Sequence, residues 1–186
     1  MALTKILPGT TIEVSIDSPD VSDKVFSNIF MTGGLVLSQV SMLTNLEPYT
    51  VQNWVKRGFL SPPVNKMYTR RQFCRIVIIN MLKDSLQLDR ITELLSYING
   101  VLSDESDDLI NDSDLYDYYI ALLYWLGDNR VEESKLNESV QKVIADYKEP
   151  FPGAGKRLEK VLKVITVAHL ASQLRQKADR LMNELK

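Results

Sequence analysis

Leu37-Ser38-Gln39-Val40-Ser41-Met42-Leu43-Thr44, then Asn45-Leu46-Glu47, then Pro48-Tyr49-Thr50-Val51-Gln52-Asn53-Trp54-Val55-Lys56-Arg57-Gly58 is the stretch whose pattern decides the fold. Leu37, Val40, Met42 and Leu43 form an apolar stripe at helical spacing. Asn45-Leu46-Glu47 reads as a turn. Pro48 suits the first position of a second helix, where a missing N–H loses no bond. On that helix Val51, Trp54 and Val55 take one side. Tyr49, Gln52, Asn53 and Lys56 follow at i, i+3, i+4 and i+7 on the other. Gly58 ends it, because glycine tolerates the left-handed backbone that closes many helices. The spacing therefore predicts two helices and a short turn, the second helix having one apolar and one hydrogen-bonding face.

Working outward, Phe59-Leu60-Ser61-Pro62-Pro63-Val64-Asn65-Lys66-Met67-Tyr68 is too rich in proline for a helix and reads as an extended loop or small hairpin. Thr69-Arg70-Arg71-Gln72 fits a capping box, with the Thr69 hydroxyl at the N-cap and Gln72 reaching back. A strongly apolar helix follows through Phe73, Ile76, Val77, Ile79 and Leu82. Further helices are expected over 88–97, 114–126 and 131–147. A long one over 156–185 has Leu158, Val161, Ile165, Ala168, Ala171, Leu174, Ala178, Leu181 and Leu185 stepping by 3 or 4. That stripe wants a partner, either this chain's own core or a second subunit. Residues 1–34 are rich in Thr, Ser, Pro and β-branched residues and read as an N-terminal arm or edge strand. The expected organisation is that arm, a compact unit over 35–100, and an acidic linker with a helical region over 101–186. The fold class is mainly α.

Composition narrows the chemistry. The 186 residues include 22 Lys or Arg and 24 Asp or Glu, a net charge of −2, with 45% hydrophobic residues. Such proportions suit a folded globular chain and not a disordered one. No apolar run approaches the roughly 20 residues of a membrane span, and the N-terminus lacks the pattern of a signal peptide. One cysteine and one histidine leave no internal disulfide and no Cys/His metal set. A reducing cytoplasm is the expected compartment, no cofactor is expected, and no nucleophile–base set points to an enzyme.

Net charge hides a strong asymmetry. Between residues 48 and 83 lie Lys56, Arg57, Lys66, Arg70, Arg71, Arg75 and Lys83, with no acid among them. Between 103 and 118 lie Asp104, Glu105, Asp107, Asp108, Asp112, Asp114 and Asp117, with no base. The basic block beside amide and aromatic side chains suits phosphates; the plainer alternative is a basic face that offsets the acidic one. Order and spacing favour the first, since helix, turn, polar-faced helix, short loop and capped helix make a helix-turn-helix with a small wing. Gln52 and Asn53 can pair with adenine edges and Lys56 with guanine or a phosphate. Arg70, Arg71, Lys66 and Tyr68 would reach phosphates. Arg75, at i+4 from Arg71, either shares that face or pairs with an acid elsewhere.

At this point the residues resemble the DNA-binding domain of the MerR family. The segment 37–46 looks like its first helix and turn, and 49–60 like its recognition helix. There Thr50 is the usual threonine, Gln52 stands where an arginine is common, Trp54 replaces the core aromatic, and Gly58 closes the helix. Pro62 and Lys66-Met67-Tyr68 resemble the wing, shortened, with Lys66 for its frequent arginine. Gln87-Leu88-Asp89-Arg90-Ile91-Thr92-Glu93-Leu94-Leu95 is similar to its closing helix. More closely, residues from about 35 to 117, including Glu47-Pro48-Tyr49-Thr50 and the acidic stretch, resemble an uncharacterised bacterial family, domain of unknown function 1836. The first resemblance implies a regulator that binds double-stranded DNA as a homodimer through its C-terminal helix, with Tyr49, Thr50, Gln52, Asn53, Lys56, Arg57, Lys66, Tyr68, Arg70 and Arg71 as contacts.

Other features take plainer readings. Tyr116, Tyr118, Tyr119, Tyr124 and Trp125 are expected to pack a core; an aromatic effector pocket, as in drug-responsive MerR relatives, is the alternative. Cys74 reads as an inert core residue and His169 as structural or exposed. The acidic stretch lacks calcium-loop spacing and reads as a solvated linker; autoinhibition by 103–108, covering the basic patch as a phosphate mimic, is a further hypothesis. Gly153-Ala154-Gly155-Lys156-Arg157 lacks the pattern of a phosphate loop. Two functional alternatives stay open: a protein-interaction adaptor that has lost DNA binding, and an architectural DNA protein of the excisionase type.

Overall fold

The computed structural model describes residues 4–100, 102, 108–127 and 132–185. The chain is mainly helical. A hairpin of β1 (Thr4–Ile6) and β2 (Glu13–Ser15) precedes α1 (Val21–Ile29). Then come β3 (Leu35–Val36), α2 (Leu37–Thr44), α3 (Pro48–Lys56) and β4 (Met67–Tyr68). The remaining helices are α4 (Arg70–Leu82), α5 (Leu88–Asn99), α6 (Asp112–Leu126), α7 (Glu133–Val143) and α8 (Ala154–Asn183). None of the described helices is long and apolar enough to cross a membrane.

The centre is α4. Phe73, Cys74, Ile76, Val77, Ile78, Ile79, Met81 and Leu82 are all buried, so this helix is apolar around most of its circumference and must be wrapped by others. α2, α5, α6 and α8 pack on it, and among the described residues one hydrophobic cluster takes in side chains from Leu7 to Ala168. The expected capping box starts it: the Gln72 amide N–H donates to Thr69 Oγ1 at 3.2 Å, and the Thr69 N–H to Gln72 Oε1 at 2.9 Å. Gln72 Nε2 also donates to the Pro62 carbonyl at 2.8 Å, tying the loop after α3 to the same helix end. Cys74 is buried here, and burial pushes its thiol well up. Tyr116 and Tyr119 are core residues.

Residues 1–34 differ from the expected arm. The β1–β2 hairpin and α1 are folded onto the body, with Leu7, Val21 and Phe26 buried. The Phe26 ring lies 5.5 Å from Phe73 edge-on and 5.4 Å from Tyr116 in a stack. The loop between β1 and β2 caps α2 across the chain. The last carbonyls of a helix have no partner within it. Here the Thr11 hydroxyl donates to the Met42 carbonyl at 3.0 Å and the Thr11 N–H to Leu43 at 2.8 Å. Asn80 Nδ2 donates to the Thr44 and Gly9 carbonyls, each at 2.9 Å. Tyr116 holds the Pro8 carbonyl at 2.8 Å.

The acidic linker also differs from expectation. Asp112 and Asp117 belong to α6, Asp112 is buried, and α6 packs on α4 and α1. Among the described residues one hydrophobic cluster includes side chains from both sides of residue 100. The residues 103–107 of that stretch lie outside the described residues. The first half of the long C-terminal helix gives its stripe to this chain's own core, and the second half leaves it exposed. Leu158, Val161, Ile165 and Ala168 are buried in the body, whereas Leu174, Leu181, Met182 and Leu185 are exposed.

Gly9 has a positive φ of 76°, and a Cβ there would lie 2.3 Å from the Val77 carbonyl oxygen. Gly58 has the same φ with nothing within 4 Å. Gly9→Ala is expected to lose about 2–5 kcal/mol in urea unfolding, from backbone strain plus the clash with α4, and Gly58→Ala only about 1–2 kcal/mol from strain. Equal losses at the two glycines would contradict the close approach of the loop to α4.

Candidate nucleic-acid interface

The turn between α2 and α3 is held open by Asn45, whose φ of 54° ends α2 in the left-handed region that asparagine tolerates. Pro48 begins α3 as expected. Val51 and Trp54 face the core, and Tyr49 (67% exposed), Gln52, Asn53, Lys56 and Arg57 face solvent. Thr50 is half-buried. Sequence spacing alone therefore sorted this helix into its two faces.

The loop after α3 forms a small hairpin. β3 pairs with β4 in antiparallel register, Leu35 opposite Tyr68 and Val36 opposite Met67. At its tip Val64 and Met67 exchange both backbone hydrogen bonds, at 3.0 and 2.9 Å. Asn65 and Lys66 lie between them with φ of 50° and 64°. Positive φ at both central residues is the two-residue turn that matches strand twist, and glycine is favoured at its second position. Lysine stands there instead and is exposed. Tyr68 lies elsewhere than expected: at 2% exposure it is a core residue under the hairpin, and burial raises its phenol's pKa. An open cleft of about 520 Å³ between α3 and the hairpin is walled by Val36, Leu37, Val55 and Pro63, with Gln52 and Lys66 at its rim.

The arginines of α4 are where the structure departs most from a phosphate-binding face. Arg70 donates to Asp23 of α1 at 2.8 Å and to Asp117 of α6 at 2.7 Å. Arg71 pairs with Asp108 and lies 4.0 Å from Asp112. Arg75 is buried, donating to the Phe59 carbonyl at 2.9 Å and lying 3.4 Å from Asp112. Asn99 Nδ2 also donates to Asp112, at 3.1 Å. Burial raises the pKa of Asp112 and Asp117 despite the neighbouring arginines, which pull the other way. Three of the basic block's arginines and three of the acidic block's aspartates are thus set against each other inside one protein. The two uninterrupted blocks of opposite sign were the visible signal of this pairing.

What faces outward is a smaller set. Lys56 and Lys66 are exposed, and neither forms an ion pair among the described residues. Arg57 is exposed as well, 3.9 Å from Asp89 and 4.5 Å over the Phe59 ring. Of the expected contacts, the fold brings Tyr49, Gln52, Asn53, Lys56 and Arg57 onto one helix, with Lys66 on the neighbouring hairpin. It places Tyr68 in the core and commits Arg70 and Arg71 to carboxylates.

Asp112→Asn leaves the Arg75 guanidinium buried without a counter-charge and is expected to cost about 3–5 kcal/mol in chemical denaturation. Asp23→Asn, at the half-exposed end of the network, should cost less than about 1 kcal/mol. Similar costs for both would show that the network is no more than a surface feature.

The chain belongs to the family described as Domain of unknown function (DUF1836), which matches residues 25–119. That span begins inside α1 and ends inside α6, so it encloses Arg70, Arg71, Arg75, Asp108, Asp112 and Asp117 of the network and leaves out Asp23. The chain is also similar to the Uncharacterized protein YkrK of Bacillus subtilis (strain 168), with 27% identity over 113 residues. The match covers 57% of this chain and 48% of that protein, so the chain spans about half the length of its curated relative. No solved structure matches the chain.

Proposed function

We propose that this member of the DUF1836 family is a transcriptional regulator that binds double-stranded DNA through a MerR-like winged helix-turn-helix, with α3 as recognition helix and the hairpin around Asn65-Lys66 as wing. One observation supports this above the others. Gln52, Asn53 and Lys56 form an exposed row on α3, opposite the buried Val51 and Trp54, beside a hairpin whose tip holds an exposed lysine. Amide and ammonium groups in that arrangement suit base edges and phosphates in a major groove. The lysine occupies a backbone position better suited to glycine. Strain kept in that way suits a residue needed for its charge.

The phosphate contacts are narrower than the sequence suggested. Lys56, Arg57 and Lys66 are assigned to them. Arg70 and Arg71 are withdrawn, because releasing them would leave partly buried aspartates unpaired. So few cations give one copy a weak hold on DNA, and two-fold pairing on a near-palindromic site is the remedy. The exposed end of α8 is the proposed homodimer contact, through Leu174, Leu181 and Leu185. Leu174→Asp with Leu181→Asp is expected to convert a dimer to a monomer in light scattering, without loss of the buried core. A dimer that survives both changes would place the contact elsewhere.

The reading is one of binding and not of catalysis, in a cytoplasmic protein. A protein-interaction adaptor is the second reading. The apolar cleft beside α3 and the exposed Val64 favour it, as does the internal neutralisation of the arginines.

Fluorescence anisotropy with a labelled mixed-sequence duplex at several salt concentrations separates the two. Wild type is expected to bind with an affinity that falls steeply as salt rises. Lys56→Ala with Lys66→Gly should weaken binding and reduce the salt slope by about 2, one per lost phosphate contact. Glycine is used at 66 because it suits the turn, so the change tests charge and not folding. No binding at low salt would sink the DNA reading and make the adaptor the leading one.

A further inference from the structure

A second cleft lies away from the α3 face, where the β1–β2 loop, the α2–α3 turn, the end of α4 and the middle of α8 meet. Its volume is about 360 Å³, within the roughly 300–1,000 Å³ of small-molecule sites. Unlike most such sites it is walled mainly by polar groups. Ser172 is 2% exposed, and its hydroxyl makes no hydrogen bond among the described residues. A hydroxyl at the cleft wall with no internal bond can donate to or accept from a ligand atom without an existing contact being broken. Lys83 also lines the cleft and forms no ion pair among the described residues. Its neighbour Asp84 is already engaged, its carboxylate accepting from Gln176 Nε2 at 3.0 Å and its carbonyl from Arg175 at 2.7 Å.

We propose that this cleft binds a small carboxylic acid carrying a second polar group, of the size of an amino or hydroxy acid. The carboxylate sits between the Lys83 ammonium and the Ser172 hydroxyl, which together offer a charge and a donor to its two oxygens. The second polar group meets the Asp84 and Gln176 side. The site is preformed, which limits the ordering cost of binding. Asn80 Nδ2 already bridges the Gly9 and Thr44 carbonyls at one wall, and His169, bonded to the Tyr119 hydroxyl, is fixed at another. Because the cleft touches both Asn45 in the α2–α3 turn and α8, an occupant bridges the proposed reading head to the proposed dimer helix. Binding itself is independent of whether α3 reads DNA.

The test uses the isotope-labelled full chain, titrated by nuclear magnetic resonance with each of the free α-amino acids, and separately with small hydroxy- and dicarboxylic acids. At least one compound is expected to shift the amides of Thr10, Asn45 and Ser172 saturably, and to raise the melting temperature. Lys83→Met, an exposed change that leaves the core untouched, should weaken that compound by about tenfold or more, as the loss of a charged hydrogen bond does. Ser172→Ala should weaken it by a smaller factor. Absence of saturable shifts around the cleft with both sets overturns the proposal, and so does a Lys83→Met protein that binds as wild type does.

Discussion

The guanidinium of Arg75 ties together elements that are far apart in sequence. From the middle of α4 it donates to the Phe59 carbonyl just after α3 and faces Asp112 at the start of α6. Asn99, at the end of α5, binds the same carboxylate. A buried pair of this kind repays its desolvation only when the remaining donors and acceptors are satisfied. The surrounding helices therefore have little freedom to shift relative to one another without breaking a bond that has no water to replace it. The exit of α3 is anchored to α4 by this contact. Arg70 and Arg71 extend the pairing toward the surface, where each bond contributes less.

A second constraint acts at the other end of the helix pair. α2 has eight residues, too few to be stable alone. Its C-terminal carbonyls are bound by Thr11 from the first hairpin and Asn80 from α4. Gly9 makes this possible, since any larger residue would meet α4. The α2–α3 unit is consequently held from outside itself, by residues upstream of it and by α6 downstream. Its compactness in sequence does not make it independent in space.

Electrostatics follows from the same architecture. A chain of net charge −2 with blocks of opposite sign can either present them separately or fold them together. This one folds together the arginines of α4 and the aspartates of α1, of α6 and of the segment just before α6, and leaves lysines at the α3 face and the hairpin tip. The exposed field is weaker than the linear sequence suggests. In the proposed DNA-binding reading, specificity rests with the amide groups of α3, and pairing of two copies is the economical route to useful affinity.

Elements with a strong local signal follow from residue order alone. The α2–turn–α3 unit with its two faces, the Thr69–Gln72 capping box, the apolar α4 and the long final helix were legible because periodicity, capping and proline act within a few residues. The α1 helix has Val21, Val25, Phe26 and Ile29 at helical spacing, but the span is only nine residues long and follows a Thr-, Ser- and Pro-rich stretch, and Phe26 takes its meaning only beside Phe73 and Tyr116. The blocks of opposite sign signalled that the arginines of α4 had acidic partners, but not which ones, since these lie some 37 to 47 residues away. Tyr68 looked like a surface contact because an aromatic with a hydroxyl suits both surface and core, and only the pairing of β4 with β3 turned it inward. Tertiary structure alone decided which charges are spent inside and which remain outside. Burial and ion pairing depend on what the chain brings close in space, and spacing along the chain holds no record of that.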